Sequence, residues 1–150
     1  MDDVIRTTSE HLKAAQRPSI YDDSGLSVVG QIGAHALWYF NQVKAGGDWD
    51  FKLRDKDSLK SGQRSKFEAF GNFSYGAAGR AAGFSPDQLY RLAGHFQTDP
   101  RGTGGIPADL FNSLLGQGGA PPFGDEYRDM KNITEGIKYY RKKFLEKSCQ

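Results

Sequence analysis

The sequence predicts one compact domain of the mainly α class (α+β), with a small β-hairpin or sheet between about residues 48 and 76. Three observations predict it. Apolar residues recur at spacings of three and four in two long stretches, residues 27–45 and 126–144, as on one face of a helix. A shorter stretch, residues 85–97, opens with a helix-capping pattern. Most of the 19 glycines lie between these stretches and predict loops and turns.

Composition limits the classes of protein to which the chain can belong. Its 150 residues suit a single core, and a net charge of +2 does not indicate the strong basic patch typical of nucleic-acid binders. The single cysteine, Cys149, excludes an internal disulfide. No apolar run reaches the roughly 18 residues of a membrane span. The acidic N-terminus lacks the basic region of a signal peptide. We expect no cofactor and no metal site.

Residues 1–26 are polar and predict an extension or linker, with a short helix across residues 3–16. The first long helix follows. Ser27 is placed to cap its start and Gly46-Gly47 to end it. His35 lies on this helix, where a packed core histidine is the simpler interpretation.

The next segment, residues 46–52, alternates acidic and aromatic side chains. If it is extended, Asp48, Asp50 and Lys52 share one face, while Trp49 shares the other face with Phe51. The polar face could supply a pair of carboxylates with a cation, or it could be an exposed strand edge. The sequence alone leaves both interpretations open.

The most unusual stretch runs from residue 66 to residue 83 and mixes aromatic residues with glycines. We predict a short helix over about residues 64–69, followed by turns. Glu68 would then stand at the end of this helix, facing a turn that contains Asn72 and Tyr75. Tight structural packing explains such a composition as readily as a functional turn does.

The remaining helices carry further candidate residues. Ser85-Pro86-Asp87-Gln88 forms a capping box that begins a helix, and His95 lies near the end of that helix. A short helix is predicted to begin near Pro107. The last helix opens with a dense acidic cluster that includes Asp125 and is followed by Arg128. Acidic residues stabilise a helix N-terminus, which suffices to explain most of this cluster.

Four blocks of sequence resemble one family in the same order. They are residues 46–52 (GGDWDFK), 70–79 (FGNFSYGAAG), 93–97 (AGHFQ) and 122–129 (PFGDEYRD). Together they are similar to the polymorphic toxin type 44 domain, over roughly residues 27–141. The resemblance implies a toxin domain at residues 27–150, a larger secreted carrier protein of the Rhs or secretion-system type, a cognate immunity protein and delivery into target bacteria. Ser74 departs from the histidine expected before Tyr-Gly.

The leading hypothesis for the chemistry is a glycosidase that cleaves peptidoglycan in the periplasm. The predicted arrangement, with Glu68 at the end of a helix before a turn that contains Gly and Tyr, is similar in outline to lysozyme-like folds. In those folds a glutamate ends a helix and a hairpin follows. Glu68 would be the general acid, and Asp48 or Asp50 the base or stabiliser. The expected substrate contacts are Trp49, Lys52, Asn72, Tyr75, Asp125 and Arg128.

Two alternatives remain from the sequence. A nuclease toxin acting in the cytoplasm would use Asp48, Asp50 and Lys52 with His35 or His95 as base and Arg128 on the phosphate. In another version of the nuclease, Asp125 and Asp129, one helical turn apart, would bind a metal. A non-enzymatic toxin would instead block a bacterial target through its glycine-rich loops.

Overall fold

The computed structural model describes residues 1–16, 28–51, 61–98 and 126–146. They contain five α-helices: α1 (Asp2–Gln16), α2 (Val28–Val43), α3 (Ser61–Ala81), α4 (Pro86–Thr98) and α5 (Tyr127–Tyr140). A π-helical turn, Arg141–Leu145, continues α5. None of these helices is both long and apolar enough to cross a membrane, within the part of the chain that is described.

Helix α3 is the centre of the bundle in its C-terminal half. Ala78 and Ala82 are buried in one core cluster with Tyr39 of α2 and Leu89 of α4. Ala77 and Ala81 are buried in a second cluster with Ile5 of α1, against which residues of α5 also pack. Four helices, α1, α2, α4 and α5, therefore surround this half of α3. The α3 side chains against which they pack are small.

The N-terminal half of α3 projects away from that packing. Residues 63–67 are exposed, and so are the large apolar side chains of Phe67 and Phe70. Glu68 lies between them in the chain, at the level where the helix leaves the bundle. The candidate site lies where α3 passes from its exposed half to its buried half.

The described residues do not support the predicted β-hairpin, and the prediction of a short helix ending near residue 69 is wrong. Helix α3 continues to Ala81, and no strand occurs in the described ranges. Glycine disfavours a helix interior by about 1 kcal/mol, but tertiary packing can override that preference. Here the glycines allow close approach. A Cβ added at Gly76 would overlap the carbonyl oxygen of Ile133, and one added at Gly136 would overlap that of Phe73.

The other helices match their sequence signals more closely. Ser85 and Gln88 form the predicted reciprocal cap of α4: the Ser85 amide donates to Gln88 Oε1 at 2.8 Å, and the Gln88 amide donates to Ser85 Oγ at 3.2 Å. Helix α2 ends at Val43 before Gly46, whose φ of 81° needs glycine. The predicted helix near Pro107 lies outside the described residues.

Helix α1 packs onto the core although it belongs to the predicted extension. Ile5 and Thr8 are fully buried. Its first residues contact the C-terminal helical segment, since Asp2 accepts hydrogen bonds from Tyr139 and Lys143. Farther along α1, the His11 ring stacks on the Trp38 ring at 3.9 Å. The helix is therefore held at its first turn and again at His11.

Candidate functional site

The side chains of Glu68 and Arg128 join α3 to the first turn of α5. Arg128 Nη2 donates to Glu68 Oε2 at 2.8 Å, across 60 residues of sequence. Both side chains remain accessible to water, with exposed fractions of 41% for Glu68 and 60% for Arg128. The pair fixes the direction of a carboxylate that a substrate in solution can reach.

Asp129 lies behind this pair and is buried, at 4% exposure. Its Oδ1 is 3.9 Å from Nε of Arg128, so the guanidinium lies between two carboxylates. Asp129, Ile133 and Gly136 are the buried residues of α5. Their spacing of four and three places Asp129 on the helix face that contacts α3. This carboxylate belongs to the helix interface, and Glu68 belongs to the surface.

Asn72 follows Glu68 by one turn of α3 and lies deeper, at 5% exposure. Its Nδ2 is buried and makes no hydrogen bond within the described structure, and the same holds for Oγ of Ser74, at 3% exposure. Substrate contact by Asn72, which the sequence predicted, would require this interior position to open. Ser74 occupies the position where the family resemblance led us to expect histidine, and in this chain the position is in the core.

The segment after α2 is a series of turns. Asp50 Oδ2 accepts a hydrogen bond from the Gly46 amide at 2.8 Å, so its carboxylate closes the turn locally. Asp48 is exposed. The Trp49 ring meets the Trp38 ring edge-on at 5.5 Å, and it packs against the core cluster that contains Tyr39. Asp48 is therefore the accessible carboxylate of this segment.

Phe51 connects this segment to α3. Its ring contacts the ring of Phe70 at 5.3 Å in a T-shaped arrangement. The contact holds the turn beside the projecting half of α3, which also carries Glu68. Tyr75, a predicted sugar-stacking residue, has its hydroxyl bonded to the Leu89 carbonyl oxygen at 2.9 Å. It thus joins α3 to α4.

The model of the bacterial toxin 44 family matches residues 38–142. That range is more than two thirds of the chain and includes the candidate residues from Asp48 to Arg128. The chain belongs to this family. No curated protein and no solved structure matches it. The family places the chain among toxin effector domains, as the sequence resemblance predicted.

The structure does not describe the side chains of four predicted site residues of this toxin domain. Lys52 and Asp125 lie outside the described residues, as do the side chains of His35 on α2 and His95 on α4. Among the residues that are described, no group of three or more His, Cys, Asp or Glu side chains is arranged to hold a metal ion. The roles of these four residues in a nuclease therefore remain a sequence prediction.

The toxin domain brings together residues that the sequence named separately. Glu68 and Arg128 were each candidates, but nothing in their spacing indicated that they pair. From the sequence, Asp129 was a candidate site residue only as a metal ligand in one version of the nuclease. Its burial could have been predicted from its spacing to Ile133 and Gly136, since these residues share one face of α5.

Proposed function

We propose that this domain is an antibacterial toxin that hydrolyses glycosidic bonds in peptidoglycan, with Glu68 as the general acid. The observation that supports this proposal is the Glu68 carboxylate itself. It is accessible to solvent, and in the resting arrangement its Oε2 accepts a hydrogen bond from Arg128. Glycosidases need a carboxyl group at the leaving oxygen. Membership of a toxin family supports the antibacterial role.

The proposed reaction uses two carboxyl groups. Glu68 gives its proton to the glycosidic oxygen as the C–O bond breaks. A water molecule supplies the new hydroxyl at the anomeric carbon, and its other proton goes to the second carboxylate. Asp48 is the better candidate for the second carboxylate, since it is exposed, whereas Asp50 already accepts the Gly46 amide. Phe67 and Phe70 offer exposed aromatic surface on α3, and Trp49 lies in the neighbouring turn. Aromatic faces suit the apolar faces of sugar rings.

Delivery follows from the same proposal. Peptidoglycan lies outside the inner membrane, so the domain would act in the periplasm of a target bacterium. A larger carrier protein would deliver it, and the producing cell would need a cognate immunity protein to protect its own wall. Both partners are proposed on the basis of the toxin family.

The first test measures bond cleavage directly. Purified protein is incubated with purified sacculi, the new reducing ends are counted, and the products are identified by mass spectrometry. We expect Glu68→Gln to lower kcat about 10²- to 10⁴-fold, as loss of a general acid does. Glu135→Gln is the matched control, since Glu135 is also an exposed glutamate in an ion pair, with Lys138. It should retain full activity.

A second test compares compartments. The domain is expressed in bacteria with and without a periplasmic export signal, and growth and cell shape are followed. Rounding or lysis only on export supports the proposal. Killing from the cytoplasm without lysis, with Glu68→Gln still toxic and RNA or DNA degraded, would replace it with the nuclease alternative.

A further inference from the structure

The ion pair between Glu68 and Arg128 can exchange partners at low cost. Both side chains are partly in water, and they share one hydrogen bond of 2.8 Å. Ion pairs this exposed contribute about 0–1 kcal/mol. A second carboxylate arriving from solution could therefore replace Glu68 at the guanidinium without a large loss of free energy.

Asp129 would keep a negative charge beside the guanidinium during such an exchange. Its carboxylate is buried in the interface between α3 and α5, 3.9 Å from Nε of Arg128. Because Nε faces this fixed charge, the two terminal nitrogens of Arg128 are the ones that can meet a ligand. A guanidinium presents its N–H groups in a planar fork that fits a carboxylate with two parallel hydrogen bonds.

The pair with Arg128 limits how Glu68 can act as a general acid. A general acid donates a proton from one of its two carboxyl oxygens, and Oε2 here accepts a hydrogen bond from Arg128. While that bond is made, only Oε1 can carry the proton for the leaving group. The observed pair is therefore a resting arrangement, and another partner for Arg128 makes both oxygens of Glu68 available.

We propose that Arg128 is the receptor for a carboxylate of the substrate, carried by the peptide stems of peptidoglycan, and that its binding releases Glu68 for the reaction. This inference rests on the function proposed above. It names the substrate class as an acidic, peptide-bearing glycan, in contrast to a neutral polymer of the same sugars. The contact between Arg128 and the substrate carboxylate would then have two effects. It would select the substrate, and it would free the Glu68 carboxyl group from its ion pair.

The experiment varies the charge of the substrate and of the receptor together. Initial rates are measured on native sacculi and on sacculi whose carboxylates have been converted to amides, with wild-type protein and with Arg128→Gln. We expect amidation to raise the wild-type KM by up to about fivefold, the loss typical of one exposed ion pair. Arg128→Gln should show this raised KM on native sacculi and no further change on amidated ones.

Arg141→Gln is the matched control, since Arg141 is also an exposed arginine paired with a glutamate, Glu146, at 3.3 Å. It should respond to amidation as wild type does. Thermal melting establishes that each variant folds, and Arg128→Lys gives a second variant that keeps the charge. The inference fails, while the glycosidase stands, if amidation leaves the wild-type KM unchanged or if Arg128→Gln raises KM above the wild-type value by the same factor on native and on amidated sacculi. Absence of glycan cleavage by wild type on either substrate overturns both.

Discussion

Gly76 of α3 lies directly against the backbone of Ile133 in α5. A Cβ at residue 76 would overlap the Ile133 carbonyl oxygen, and a Cβ at Gly136 would meet the Phe73 carbonyl oxygen in the same way. The two helices therefore approach to backbone contact, with a glycine on each side. Glu68 lies two turns before this crossing and Arg128 lies near the start of α5, so the crossing sets the distance between them.

The crossing predicts that Gly76→Ala destabilises the domain. In an open helix this change stabilises by about 0.5–1 kcal/mol. Here the added methyl group must push two backbones apart, and overpacking of this kind costs about 1–3 kcal/mol. Urea denaturation measures the difference, with Lys66→Ala on the exposed half of α3 as the near-neutral control. A gain in stability for Gly76→Ala would contradict the close approach of α3 and α5.

The same helix shows what the sequence could and could not predict. Helices α2, α4 and α5 have an apolar stripe or a cap, and each was predicted close to its observed bounds. Helix α3 has no stripe, since most residues of one half are buried and most described residues of the other half are exposed. Periodicity cannot identify such a helix, and its glycines then predicted turns.

The candidate site was predictable residue by residue but not as an arrangement. Asp48 and Arg128 stood out by residue type and lie in the blocks that resemble the family, whereas Glu68 stood out by its similarity in outline to lysozyme-like folds. Their geometry depends on how α3 and α5 cross, and that crossing depends on two glycines whose role is visible only in three dimensions. Asn72 was predicted to contact the substrate because it is polar, but its side chain is buried. Residue type alone therefore did not predict burial.

The cap of α4 predicts a coupled loss of stability. Ser85→Ala should lower the free energy of unfolding by about 1 kcal/mol, as is typical of an N-cap serine. Because Ser85 and Gln88 bond to each other's amides, the double variant with Gln88→Ala should lose less than the sum of the single losses. Chemical denaturation of the four proteins measures this coupling. Strict additivity would show that the two hydrogen bonds act independently.

The contact between Asp2 and Lys143 predicts acid sensitivity at the start of α1. Hydrogen bonds from Lys143 and Tyr139 lower the pKa of Asp2 below its ordinary value. A carboxylate whose pKa is lower in the folded state stabilises the fold above its unfolded pKa, and this stabilisation is lost as the pH falls through the folded pKa. Asp2→Asn should therefore be less stable than wild type at neutral pH, and the difference should shrink below about pH 4.

Thermal melts at pH 7 and pH 3 measure that difference. Asp3→Asn is the control, since Asp3 lies in the same turn but pairs only within α1, with Arg6 at 3.0 Å. A stability difference between Asp2→Asn and wild type that does not change with pH would show that the ionised carboxylate of Asp2 does not fasten α1 to the C-terminal segment.

Tyr39 predicts a loss of stability in alkali. Burial raises the pKa of this phenol well above its ordinary value, and its hydroxyl donates to the Tyr75 carbonyl oxygen at 2.8 Å. Because the pKa of Tyr39 is higher in the folded chain than in the unfolded chain, Tyr39 contributes its full stabilisation below the unfolded pKa of about 10. This stabilisation is lost as the pH rises above that value. Tyr39→Phe should be less stable than wild type at pH 7, by about 1 kcal/mol for the lost hydrogen bond. Its stability should then fall less steeply above pH 10, and denaturation at pH 7 and pH 11 measures both effects. An equal decline in the two proteins would show that other groups cause the alkaline loss, and the change at pH 7 would then report the hydrogen bond alone.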